Sequence, residues 1–189
     1  MTRKLLTLLV VLSVSTIHAQ AYRGKGDKKL QIGAIVQSNA SGISVSADFG
    51  LGENISVGLV SSYLLDVKKR RYSETEFYIN NPSYDPIIDG YPDLEEHPDF
   101  IDRVDIKARF SANLGNVIGL PKNMDVYPGL SLGLRNFGGH AGFRYFFTNG
   151  FGVFGETGFP IAKYDQHITG YDKLNNQFTF TVGASFNLQ

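Results

Sequence analysis

Six charged residues occupy positions that alternation places on one side of extended chain: Asp48, Asp105, Lys107, Arg109, Arg144 and Glu156. Asp105, Lys107 and Arg109 are spaced by two, so in a strand all three side chains leave on the same face. A mixed set of this kind allows two chemistries. One is an ion-pair network that fills an enclosed space. The other is a small gated pore lined by Arg109, Arg144 and Glu156. Charges shut in a narrow space must be paired, because stripping one partner from a buried pair costs about 3–5 kcal/mol.

Other reactive side chains offer less. Beyond His18, the histidines are His97, His140 and His167. An Asp165–His167 or His140–Ser131 arrangement is conceivable, but no nucleophile motif surrounds either pair. The reading is therefore not an enzyme, with a barrel-embedded lipid-acting enzyme as the remotest alternative. Cysteine is absent, which excludes disulfides and thiolate metal sites. Asp85, Asp89, Asp93, Glu95, Glu96 and Asp99 supply the oxygen ligands that calcium takes. Their spacing matches no EF-hand loop, and no cofactor or metal is expected. Eighteen basic and eighteen acidic residues cancel, which argues against a nucleic-acid partner.

The elements that must position these residues read as strands. Asn176 to Gln189 alternates Phe178, Phe180, Val182, Ala184, Phe186 and Leu188 with polar residues. Similar alternation spans Leu30–Ser38, Ile43–Phe49, Ile55–Leu65, Arg103–Leu114, Met124–Arg135, His140–Phe147 and Phe151–Phe159. Pro128 cannot donate to a ladder, so a bulge or a later strand start is expected there. Residues 1–19 read as a cleaved signal peptide: Arg3 and Lys4, an apolar run from Leu5 to Val14, and a small residue at Ala19. Residues 20–29 read as a flexible mature N-terminus, and 30–189 as the barrel. No later apolar run is long enough for a spanning helix, so a membrane-inserted form must be a closed barrel. The expected fold is all-β: an eight-stranded antiparallel up-and-down transmembrane barrel. The longest connections, 66–102 and 160–175, both fall on one side, as extracellular loops do.

The C-terminal Thr181-Val182-Gly183-Ala184-Ser185-Phe186-Asn187-Leu188 resembles the assembly signal of bacterial outer-membrane barrels. Thr181, Gly183, Phe186 and Leu188 match it; Gln189 stands where many such chains end on an aromatic residue. The stretch from Tyr145 to Glu156 resembles a hairpin that recurs in small barrels of Bacteroidota. Over its mature length the chain is similar to the eight-stranded OmpA/OmpX-type barrels, in particular an uncharacterised Bacteroidota family. The resemblance implies a Gram-negative outer-membrane location and insertion by the barrel-assembly machinery. It carries no catalytic residues.

The expected role is structural or surface-interactive, with a lumen plugged by inward charges. The alternative is a small pore or hydrophobic-molecule channel. Outer-membrane lipid and lipopolysaccharide are expected partners, with an extracellular ligand engaged through loops 66–102 and 160–175. Lys68, Lys69, Arg70 and Arg71 can contact lipopolysaccharide phosphates, each cation gaining about 1 kcal/mol near an anionic surface. They can equally pair with the acidic half of their own loop.

Overall fold

β-branched and aromatic residues pack well on a pleated surface, and the alternating stretches form the strands expected of them. The computed structural model describes residues 19–71, 73–92, 94–164, 171 and 174–188. Positions 1–18 of the expected leader lie outside the described residues, as do Asp93, Asp165, His167 and Gln189. In chain order the elements are β1 (Lys28–Gln37), β2 (Ala40–Gly50), β3 (Ile55–Val67), β4 (Arg70–Arg71), α1 (Glu74–Asn80), β5 (Glu95–Glu96) and α2 (Phe100–Arg103). They continue with β6 (Val104–Ala112), β7 (Met124–Gly133), β8 (Asn136–Phe146), β9 (Phe151–Lys163) and β10 (Thr179–Asn187). Eight strands close into an antiparallel barrel in the order β1-β10-β9-β8-β7-β6-β3-β2, while β4 and β5 form a separate ribbon. The closing seam sets Leu30 opposite Phe186, Ala34 opposite Val182 and Val36 opposite Phe180, so no sheet edge remains.

The polarity of the barrel is the reverse of a soluble domain's. Among the described residues, 9 hydrophobic side chains are buried against 23 polar or charged ones. Outward positions carry Ile32, Val36, Val45, Leu59, Phe110, Leu132, Phe143, Phe180 and Val182, all exposed. Inward positions carry Gln31, Ser44, Ser46, Ser56, Ser111, Thr181 and Ser185, all buried. Period-two alternation therefore gives the barrel strands an apolar outer row and a mainly polar inner row, with Ile35, Leu64, Phe146 and Phe154 as buried apolar exceptions.

Several boundaries differ from the sequence expectation. Pro128 causes neither a bulge nor a late start: β7 and β8 stay in register from Met124↔Tyr145 to Leu132↔Phe137. Its missing N–H faces β6, where the ladder ends at Ser111↔Gly129 before Leu114 N donates to Val126 O. β8 begins at Asn136, four residues before the expected start, which leaves Leu134 and Arg135 as the turn. β9 runs to Lys163, with a register shift that places Pro160 beside an unpaired residue, where a proline is tolerated. The segment expected to be a flexible lead is hydrogen-bonded across one barrel end. Ala21 N donates to Lys122 O, and Gly26 N and Gly50 N exchange bonds with Gly50 O and Asp27 O. The insertion 66–102 holds β4, α1, β5 and α2, and β3 runs into it as far as Val67.

Candidate functional site

The inward charges sit where glycines let them meet. Asp48, Gly58 and Arg109 lie in register on β2, β3 and β6. A Cβ at Gly58 would come within 2.3 Å of Asp48 Oδ1. Without one, the carboxylate reaches over the glycine to Arg109 Nε at 3.2 Å. Tyr127, Gly142 and Glu156 repeat the pattern on β7, β8 and β9. The Tyr127 ring occupies the space over Gly142, where a Cβ would lie 2.2 Å from Cζ.

Arg109 closes the ring by a two-pronged contact across the lumen. Its Nη2 donates to Glu156 Oε2 at 2.9 Å and its Nη1 to Oε1 at 3.4 Å. This fork geometry is the strong form of an arginine–carboxylate pair. Arg144 lies directly opposite Asp125 and donates to its Oδ2 from Nη2 at 2.7 Å and from Nε at 3.1 Å. It also donates to Asn113 Oδ1, and its Nη1 lies 4.0 Å from Asp48 Oδ2. Asp48 thus stands between the two arginines. The Tyr127 ring lies between them as well, 4.3 Å from the Arg144 guanidinium and 5.6 Å from that of Arg109. Both distances suit cation–π attraction. Lys107 pairs with Asp105 at 3.1 Å and donates to Asn136 Oδ1 at 3.3 Å.

Asp48, Arg109, Arg144 and Glu156 therefore meet in one cluster, while Asp105 and Lys107 form a separate pair nearer the long loops. Sequence reasoning missed Asp125, Tyr127 and Asn113. Asp125, Tyr127 and Ser131 share one face of β7, so alternation carried the signal. Pro128 obscured it by arguing for a later strand start. It also missed Lys29, which pairs with Asp27 at 2.5 Å and donates to Asn187 Oδ1 at 2.7 Å. His140 turns inward and bonds Ser111 Oγ at 2.9 Å rather than joining Ser131, and both partners are buried.

Chain segments pack against both ends of the barrel. At the turn end, Tyr22 OH donates to Gly52 O at 2.9 Å and to Ile55 O at 2.6 Å, and Ala19 and Ala21 pack on Phe146. Burial beside Asp27 pushes the Tyr22 hydroxyl up to about 12. At the loop end, Tyr171 and Leu174 pack on Ile35 and Leu64. There Asn136 Nδ2 donates to Asn175 O and Asn176 Oδ1. Between this cover and Arg109 lies a cavity of about 60 Å³ that includes Asp105, Lys107, Ser131, His140 and Glu156 in its wall. That is room for a few waters.

Of the C-terminal residues, Thr181 faces inward, and Gly183 lies against β1, where a Cβ would meet Ile32 O at 2.1 Å. Leu188 faces outward and the Phe186 ring meets that of Phe151 at a tilt, with centroids 5.7 Å apart. The basic run joins the acidic half of its own loop: Arg70 and Arg71 are in register with Glu96 and Glu95, and Lys69 Nζ lies 2.7 Å from Glu95 Oε2. Asp85 and Asp89 serve backbone amides. Asp89 Oδ2 accepts from Asp85 N and Asp85 Oδ1 from Ile87 N, both at 2.9 Å. Among the described residues no three acidic or histidine side chains converge as a metal site.

A family model described as a family of unknown function, DUF6646, matches residues 11–90 and 87–188. The chain belongs to this family. No curated protein matches this DUF6646 member. Among solved structures, the N-terminal β-barrel domain of Pseudomonas aeruginosa OprF is similar with a TM-score of 0.50 and 8% identity, over 88% of this chain and 100% of that one. A designed transmembrane β-barrel gives 0.47 at 7% identity, over 88% and 98% of the two chains. Outer Membrane Protein G from Pseudomonas aeruginosa gives 0.42 at 10%, over 89% and 100%. At such identities the likeness concerns the fold: the OprF domain shares a closed barrel with this chain.

Proposed function

We propose that this DUF6646 member is an integral outer-membrane barrel with a structural or surface-interaction role and a lumen closed to ions. The observation that carries the reading is the inverted polarity, with large apolar side chains outside and buried charges within. Water outside would leave that apolar belt unsatisfied, whereas lipid covers it. Aromatic rings support the same placement. Tyr145, Phe147, Phe151 and Phe186 form a chain of ring contacts near the turn end, and Tyr63 meets Phe100 near the loop end. Such rings favour the two membrane–water interfaces.

In this reading residues 1–19 direct export, and the barrel-assembly machinery recognises Thr181, Gly183, Phe186 and Leu188. The barrel is of the small kind resembled among Bacteroidota, with loops 66–102 and 160–175 outside the cell. Lys68 and Arg71, both exposed, face lipopolysaccharide phosphates. The paired arginines and the Tyr127 ring block the lumen.

Membrane fractionation with heat-modifiable migration on unboiled gels tests the placement. A soluble, heat-insensitive protein refutes it. Conductance of the purified barrel in planar bilayers tests closure; ion steps in the wild type would favour the pore instead.

A further inference from the structure

The part of the molecule that the barrel does not need is the arm between β4 and α2. Its tip is built to a fixed shape. Phe77 packs edge-on against Tyr84 with ring centroids 5.0 Å apart, and Tyr78 lies 6.2 Å from the same ring. Tyr84 OH donates to Gly90 O at 3.0 Å, tying the far side of the turn to this platform. Within the turn, Asp85 O accepts from Ile88 N and Asp89 N, while the two carboxylates take Ile87 N and Asp85 N. The hydrogen bonds leave Ile87 and Ile88 pointing away from the platform, 93% and 81% exposed, with Tyr91 wholly exposed beside them.

Two isoleucines and a tyrosine held out on a braced turn are not the ordinary scatter of surface apolar residues. A preorganised apolar projection loses little conformational freedom on binding. The charge around it narrows the partner. From Ser73 to Asp93 there are five carboxylates and no lysine or arginine, whereas Glu95 and Asp102 at the base of the arm already pair with Lys69 and Arg135. That charge opposes an anionic membrane surface, so the tip is not held down on one. It favours a cationic partner. An open groove bounded by Asn80, Asn81, Pro82, Ser83, Tyr84 and Asp89 offers a basic side chain the Asp89 carboxylate and two amide side chains.

We propose that the arm tip, through Ile87, Ile88 and Tyr91, docks a cationic amphipathic polypeptide segment, one that alternates lysine or arginine with aliphatic residues. The inference rests on the surface-interaction reading above and names the chemistry of its partner. Apolar side chains of the segment cover Ile87 and Ile88, and its cations meet the carboxylate field.

The test uses the full chain in zwitterionic nanodiscs and a fluorescent peptide that alternates lysine with leucine, with protein-free nanodiscs as the blank. Anisotropy should report binding that weakens as salt rises. Ile87→Ser and Ile88→Ser should each weaken it about tenfold, the size of losing one buried aliphatic contact. A matched peptide with glutamate for lysine should not bind. Equal binding by wild type and the serine double variant, or no binding above the blank, overturns the proposal. Heat-modifiable migration confirms that each variant is folded. Protease shaving of intact cells reports separately whether the arm is outside: an arm that is exposed but does not bind refutes this inference alone, whereas an arm protected in intact cells refutes the surface reading.

Discussion

Replacing Arg144 by methionine tests whether the interior network holds the barrel together. Arg144 is 1% exposed and lies across from Asp125 on the neighbouring strand. The substitution keeps most of the volume and removes the charge. Asp125 Oδ2 loses donors at 2.7 and 3.1 Å, and keeps Gly115 N on Oδ1 at 2.9 Å. Asp48 keeps Arg109 at 3.2 Å, so Asp125 is the carboxylate left without a cation. Tyr127 loses the nearer of its two guanidinium neighbours. Breaking a buried pair on one side costs about 3–5 kcal/mol, and that is the expected loss. The double variant Arg144→Met/Asp125→Asn removes both charges and should recover at least about 2 kcal/mol, a coupling measured by the double-mutant cycle. The chain contains no tryptophan, so unfolding by urea in lipid is best followed by circular dichroism and by the gel shift of the folded band. An Arg144→Met loss below about 1 kcal/mol, or a double variant no more stable than the single, would refute the reasoning.

The remaining predictions address the two faces, the lumen and the strap. Val182→Arg, on an outer position 52% exposed, should cost about 2–4 kcal/mol near the bilayer midplane, and Thr181→Val, inside, much less; the reverse order in unfolding midpoints would sink the inside-out assignment. Tyr127→Ala, which empties the space over Gly142 between the two arginines, should introduce small ion steps in planar bilayers absent from the wild type. Tyr22→Phe removes the donor to Gly52 O and Ile55 O, and the N-terminal segment should become more sensitive to protease without loss of the heat-modifiable band. The Tyr22 hydroxyl is raised from 10.0 to about 12, so its contribution is complete below pH 10 and fades as pH rises towards 12. Protease sensitivity in the wild type should rise over that interval, and sensitivity that rises equally in Tyr22→Phe counts against this role for the hydroxyl.

Local pattern is enough for the barrel because its rule is local. A period-two sequence sorts side chains to two faces wherever the chain is extended. The strand count and the inward charges Asp48, Asp105, Lys107, Arg109, Arg144 and Glu156 are therefore legible in the order of residues alone. The closing seam is legible too, since eight alternating strands need the last to meet the first. Pairing within the interior is not. Which carboxylate meets Arg144 depends on the register of β7 with β8, and which meets Arg109 on the absence of a Cβ at Gly58; neither leaves a mark in the spacing of charges along the chain. The same holds for the ends. The polar composition of 20–29 reads as a free segment, yet Tyr22, Asp27 and Lys29 find partners on residues far along the chain. Lys29 and Asn187 meet only because closure of the sheet brings β1 beside β10. Sequence by itself determined the faces; the tertiary structure alone decided which charges share them, because register and cross-strand glycines set distances that alternation leaves open.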